Sequence, residues 1–415
     1  MNMPERISDA RREAEAAPWP SPASGWLLAG LLALASIVSQ FDRTVINLTV
    51  QPLKAAFGLD DTHFGMLQGL AFGLFYVVAC VPLGRMADRF ERRLMIAGGL
   101  FLFSLFAMGS GLATSFFILF LTRVGVAVGE ATLTPSGLSM LSDHFPPERL
   151  GRPIGVFLMS SPFGQGLAFI LGGSLLQWLA TSPILATGPL AGLQPYQAAF
   201  IIVGAPGLLL VPLFLLLLRE PKRRGGRIEP MPFAEVLGIV RSRAAALVPM
   251  FAGFSLSTLV VYAIFIWAPA MFMRSYGWNP AQVGLGFGLI LMTCGMSGAF
   301  FSGWLTDRLT RRGLIDAPLL VAGYGFVACG CFGAAGALMP SAPLALAFFA
   351  PAIFLSNMPF ACAATAIQLI IPNRARAQVS ALYITITTLV GLTIGPMVIG
   401  LMTDHLFRDP ADVRY

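Results

Sequence analysis

Charge is scarce in this chain. Only 11% of its 415 residues are Asp, Glu, Lys or Arg, whereas 56% are hydrophobic and the mean hydropathy is +0.76. A water-soluble surface carries about 25% charged residues, so a soluble globular protein is excluded. Cysteine is sparse too, and Cys80, Cys294, Cys329, Cys331 and Cys362 all fall inside apolar runs, which excludes a disulfide framework. His63, His144 and His405 lie near loops and far apart, so no metal ligand set and no metal are expected. Ten-residue amphipathic strands are missing as well, which excludes an outer-membrane barrel. The formal net charge of +7 does not mark a nucleic-acid partner, because the charges lie between apolar runs and not on a basic face. Two Lys against 25 Arg hint at a GC-rich, bacterial genome.

What the chain has in abundance is apolar runs long enough to cross a bilayer. About 20 residues span roughly 30 Å of hydrocarbon at 1.5 Å per residue. Eleven such runs are predicted, at 25–52, 62–86, 94–113, 115–140, 152–180, 196–218, 245–273, 280–305, 316–338, 342–370 and 377–406. Of the 27 Lys and Arg, 21 fall in segments on one side of these spans and 4 on the other, which places the N-terminus in the cytoplasm of a multi-pass inner-membrane protein. The first run is too long for a cleaved signal peptide. Residues 1–24 are expected to form a flexible cytoplasmic arm, 25–218 an N-terminal six-helix bundle and 219–244 a basic linker. A C-terminal bundle of five visible spans should fill 245–406, and 407–415 an extracytoplasmic tail.

An internal repeat supports the two halves. Sliding the chain by 219 residues gives eight identities in 32 ungapped positions, among them Gly65 with Gly284, Gly69 with Gly288 and Gly84 with Gly303. The shared pattern Gly-x-x-x-Asp-Arg-x-x-Arg-Arg ends both the second and the eighth spans, as parallel repeats in a two-lobed transporter require. The loop from Gly84 through Asp88, Arg89, Arg92 and Arg93 resembles the signature loop of the major facilitator superfamily. That resemblance implies an all-α polytopic membrane protein with the major facilitator fold. Gly84, Asp88, Arg89 and Arg92, with Gly303, Asp307, Arg308 and Arg311, are then a candidate cytoplasmic gate. Gly84 would permit close helix contact, and Asp88 would cap a neighbouring helix and pair with the arginines. The alternative is that these arginines only set topology.

Four ionisable residues lie within the predicted spans: Asp42 and Arg43 in the first, Arg123 and Glu130 in the fourth. Burying a charge at the bilayer centre costs roughly 2.5 to 3.5 kcal/mol on insertion scales, so each should face a partner or an aqueous cavity. Arg123 and Glu130 stand two helical turns apart on one face, and the depths of Asp42 and Arg123 overlap near the middle of the membrane. Burial disfavours the ionised form of a carboxylate and a neighbouring guanidinium restores it, so exchanging partners would move a proton. A static ion-pair knot joining the two spans is the other reading.

Phe41-Asp42-Arg43 with Asn47, Gly65-Met-Leu-Gln68, Leu121-Thr-Arg123 and Gly129-Glu130-Ala131 resemble the spinster branch of the superfamily, which exports or redistributes lysophospholipids and sphingoid lipids. The resemblance implies Asp42 as proton-responsive acid and Glu130 as coupling carboxylate. Arg43 and Arg123, with Asn47, would be partners of the acids or of an anionic head group. A related Asp-Arg motif occurs in organic-anion and sugar-acid symporters of the superfamily. Asn357, Gln368, Tyr383 and Thr387 are the cavity candidates in the C-terminal half. Superfamily members usually have twelve spans, so a twelfth is expected beyond the eleven visible in this sequence. The expected function is proton-coupled alternating-access transport of a lysolipid-like or other amphiphilic anion, with small hydrophilic organic anions as the alternative. No enzyme activity, metal or organic cofactor is expected; protons are the coupling ion, and the chain should act as a monomer in the bilayer.

Overall fold

The computed structural model describes residues 19–187, 190–223, 232–314, 316–372 and 375–407, so most of the N-terminal arm and of the C-terminal tail lies outside the described residues. Helix dominates, as it must where hydrocarbon leaves the backbone no other hydrogen-bonding partner. Among the described residues, ten helices are long and apolar enough to cross a membrane: Pro22–Leu48, Asp61–Ala87, Arg92–Gly111, Phe116–His144, Gly151–Thr181, Pro195–Leu217, Ala244–Tyr276, Pro280–Arg311, Ala317–Ala337 and Gln378–Leu406. Local chemistry sets several starts. Ser21 accepts from Ser24 N at 3.3 Å ahead of Pro22, Ser115 accepts from Ile118 N at 3.3 Å, and Asn279 with Gln282 forms a capping box.

Two expected spans are interrupted. The run at 342–370 folds as Ala342–Ser356 and Met358–Ile370, separated at Asn357. The fourth span divides into Phe116–Glu130 and Leu133–His144. Pro135 has no N–H to offer the Ala131 carbonyl, and the helix breaks directly after Glu130. The basic linker is not wholly irregular either, since Phe233–Ser242 is a helix whose Val236 packs into the C-terminal core.

Each half has its own apolar core, one around Leu28, Ile96, Phe103 and Phe214 and one around Phe251, Val321, Met358 and Ile367. A third cluster draws on both halves and lies away from the arginine-rich loops, with Phe64, Phe169, Trp267, Phe272 and Phe287 among its members. There the helices approach backbone to backbone. A Cβ on Gly69 would collide with the Thr393 carbonyl oxygen, and one on Gly284 with the Phe169 carbonyl oxygen. The repeat-matched glycines thus do equivalent work: the second span packs on the eleventh, and the eighth on the fifth. Segments Leu67–Leu74, Leu291–Gly295 and Leu389–Ile394 are wound as π-helix in three of these four contacting spans.

Gly284→Leu should therefore force the halves apart at this end. A cysteine placed at Met271 in a cysteine-free background is expected to react faster with a membrane-impermeant thiol reagent in that variant. Unchanged labelling would contradict the packing account.

Candidate functional site

The first and fourth spans cross at the centre of the N-terminal half, and their four charges form two crossed ion pairs. Arg123 Nη1 donates to Asp42 Oδ1 at 3.2 Å while Nη2 donates to Oδ2; the pair is essentially sealed, with exposures of 1% and 0%. Arg43 Nε donates to Glu130 Oε2 at 2.7 Å, and Nη2 donates to the same oxygen. The Arg43 guanidinium also lies 4.4 Å from the centre of the Phe72 ring and 5.2 Å from that of Tyr76. Neither pair is saturated: Arg123 Nε and Glu130 Oε1 are buried and bond to nothing in the protein. A knot selected only for stability would leave fewer such groups.

A central cavity of about 600 Å³ adjoins these pairs. Its N-terminal wall carries nearly all the polar groups, Arg43, Arg123, Gln40, Asn47, Gln68, Ser161 and Gln165, with Phe72, Leu158 and Pro162 among them. Its C-terminal wall is mostly apolar, with Val261, Tyr262, Phe265, Ile266, Leu291 and Leu392, and Asn357 as a polar exception. The amides are held in place: Gln68 Nε2 donates to Asn47 Oδ1, Gln40 Nε2 to Ser161 Oγ at 2.8 Å, and Asn357 Nδ2 to Ile353 O at 2.9 Å. Asn357 reaches the cavity from the break in its span.

The structure brings Asp42, Arg43, Asn47, Arg123, Glu130 and Asn357 to or beside this cavity. Gln368, Tyr383 and Thr387 are not among the lining residues: Gln368 is exposed, Tyr383 packs edge-on against Phe251 and Phe254, and Thr387 donates to Tyr383 O at 2.9 Å within its own helix. Gln40, Gln165 and Tyr262 line the cavity but were not among the sequence candidates, because the helix face of an isolated polar residue in an apolar run is not legible from its type.

The signature loops are arranged differently from expectation. A Cβ on Gly84 or Gly303 would meet nothing within 4 Å, so neither glycine makes a close helix contact. Asp88 does not cap the following helix, whose N-cap position is Glu91 without a side-chain bond. Arg92 pairs with Asp143 at 2.5 Å and Glu220 at 2.7 Å rather than with Asp88. Arg223 donates to the carbonyls of Ala87, Asp88 and Phe90. Arg89 is exposed. In the repeat, Arg311 Nε donates to Asp307 O at 3.2 Å, and Arg308 lies 5.2 Å from the Trp304 ring centre. The physical reason is separation: the inter-half glycine contacts and ion pairs sit at the other end.

That other end carries a cluster that loop counting treats only as topology. Asp61, 0% exposed, accepts from Arg274 Nη1 at 2.6 Å and Nη2 at 2.7 Å and from Lys54 Nζ at 2.5 Å. Asp404 receives the N–H of Asp61 at 3.2 Å and of Thr62 at 2.6 Å. These bonds join the second span to the seventh and eleventh, and thus one half to the other. Trp267 Nε1 adds a bond to Pro396 O at 3.0 Å.

Two repeat-related helical bundles around a central cavity with polar and apolar walls define a membrane transporter, not an enzyme. Residues 32–396 match the Major Facilitator Superfamily, and the chain belongs to that family. It is 28% identical over 399 residues to an MFS-type efflux pump of Mycolicibacterium smegmatis, covering 94% of this chain and 86% of that protein. It is 28% identical over 304 residues to a probable L-galactonate transporter of Escherichia coli, covering 70% of this chain and 62% of that protein. Among solved structures, a bacterial homolog of the human lysosomal transporter Spinster, in an inward-facing and unoccupied conformation, superposes with a TM-score of 0.77 at 27% identity, covering 93% of this chain and 84% of that one. The resemblance to the spinster branch read from the first, second and fourth spans therefore extends over nearly the whole chain.

Removing one partner of a sealed pair strands the other. Arg123→Leu should leave Asp42 buried and unpaired, at a cost of about 3 to 5 kcal/mol. The double variant Arg123→Leu with Asp42→Leu should recover much of that loss in thermal unfolding of the detergent-solubilised protein. Additive losses would show that the two residues do not act as a pair.

Proposed function

We propose that the protein is a proton-coupled secondary transporter that moves an amphiphilic, lysolipid-like anion by alternating access across a bacterial cytoplasmic membrane. The observation that carries this reading is the two-sided cavity. Guanidinium groups and amides on one wall suit an anionic head group, and the aliphatic and aromatic wall opposite suits an apolar tail. The arginine-rich loops would face the cytoplasm, with the N-terminus on the same side, and the inter-half bonds around Asp61 would close the outer end. This is an inward-facing arrangement.

The crossed pairs supply a coupling device. A proton on Asp42 neutralises the partner of Arg123, and a proton on Glu130 does the same for Arg43. Either guanidinium then becomes available to an anion in the cavity, so proton and anion binding favour each other. Asp42 is the proton-responsive acid in this scheme and Glu130 the second station.

A second reading, transport of small hydrophilic organic anions or sugar acids, draws on five amides in the lining, Gln40, Asn47, Gln68, Gln165 and Asn357, and on the similarity to a probable L-galactonate transporter. Uptake of labelled lysophospholipid into proteoliposomes separates the two. The lipid reading predicts uptake that responds to an imposed pH gradient and resists excess galactonate. Folded protein that takes up galactonate and leaves the lysolipid behind would overturn it.

A further inference from the structure

Beside Arg43 lies a second, smaller cavity of about 130 Å³, walled by Ser36, Ser39, Tyr76, Glu130 and Thr134. It shares Gln40, Arg43, Leu158 and Ser161 with the central cavity, so the Gln40–Ser161 hydrogen bond and the Arg43 side chain form the partition. The space exists because the fourth span breaks after Glu130, ahead of Pro135, and resumes at Leu133. A volume of about 130 Å³ is roomy enough for water, and the chamber's hydroxyls offer polar partners. Ser39 Oγ, in the chamber lining, donates to Ser36 O at 3.1 Å and can still accept a hydrogen bond.

The two ends of this chamber differ. Thr134 is exposed and stands about one helical turn nearer the arginine-rich face than Glu130, while Leu158 lines both cavities. Glu130 is only 7% exposed; Arg43 holds its Oε2, and its Oε1 has no partner. The ionisable groups around Glu130 are Asp42 and Arg43 from the first span, Tyr76 from the second and Arg123 from its own helix; Cys80 of the second span and Tyr262 of the seventh stand beside Tyr76 and Arg43. Among the residues lining the chamber, Glu130 alone carries a carboxylate.

We propose that this chamber is a hydrated proton inlet to Glu130, separate from the substrate cavity. The inference rests on the proton-coupled reading above. A proton from bulk water enters at Thr134, passes along the chamber and bonds to Oε1, the oxygen Arg43 does not hold. The carboxylate becomes a neutral acid, and Arg43 is left to an anion on the other side of the partition. A bulky substrate filling the central cavity does not block the acid, because the two ligands arrive by different routes.

Infrared difference spectroscopy on the full-length protein in liposomes, stepped in pH in ordinary and heavy water, tests this. The Glu130 carboxyl band is the one lost in Glu130→Gln. Ser39→Leu fills the chamber and should abolish or strongly slow both protonation and deuterium exchange of that band. Asn357→Phe narrows the central cavity from the opposite half and should leave the band unchanged. Thr134→Val keeps the side-chain shape while removing a hydroxyl; it should slow exchange more modestly, and it carries the test if Ser39→Leu does not fold. Wild-type exchange in the chamber variants, or loss of the band in Asn357→Phe, would overturn the inlet and leave proton coupling standing. If no band disappears in Glu130→Gln, Glu130 does not titrate and the inlet falls, while the proton-coupled reading then stands or falls on Asp42.

Discussion

Four charges inside two membrane spans have to be answered by one another, and the crossed pairing of Asp42 with Arg123 and Arg43 with Glu130 is that answer. The rest of the site is arranged around it. Removing two ion pairs from water is costly, and hydrophobic replacements of similar volume would often be as stable. The pairs therefore give a poor account of stability alone and a better one of switching. Arg43 faces the central cavity, touches two aromatic rings and borders the smaller chamber; Arg123 reaches the same cavity from the sealed pair. Each arginine stands between an acid and the space where an anion would sit.

The switch needs a body with two stable arrangements, and the distribution of inter-half contacts supplies one of them. Glycines matched by the internal repeat let the second span lie on the eleventh and the eighth on the fifth, and Asp61 ties three spans together through Arg274, Thr62 and Asp404. At the arginine-rich end, Gly84 and Gly303 have open space around them. Contact at one end and separation at the other is the geometry that alternating access exchanges. The π-helical segments in spans two, eight and eleven place non-standard backbone where such rearrangement would be concentrated.

Much of this was legible in the residues. Span positions followed from apolar length, and the paired halves from the Gly-x-x-x-Asp-Arg-x-x-Arg-Arg repeat. The central site followed from the cost of intramembrane charge, which singles out Asp42, Arg43, Arg123 and Glu130 without any alignment. Other features were not legible, for identifiable reasons. Crossed pairing depends on side-chain reach, and depth counting fixes only helix register. Arg92 chose Asp143 and Glu220, which are distant in sequence, over the nearby Asp88. Lys54 and Arg274 counted as loop charges, although both pair with the buried Asp61. Tyr383 and Thr387 were selected for polarity, but periodicity too weak to orient their helix could not show that they face away from the cavity. The break at Asn357 was hidden because Pro359 sits where a helix start and a helix interior look alike in an apolar run.

The central claim is that protonation of the crossed pairs is linked to which end of the molecule is open. The most direct test is the distance between spin labels on the fourth-to-fifth-span loop and the tenth-to-eleventh-span loop, followed by pulsed electron resonance in lipid from pH 8 to pH 5. The account predicts a pH-dependent exchange between long and short distances in the wild type, displaced in Glu130→Gln and flattened in Asp42→Asn. A distance distribution that shifts with pH in Asp42→Asn just as it does in the wild type would contradict it.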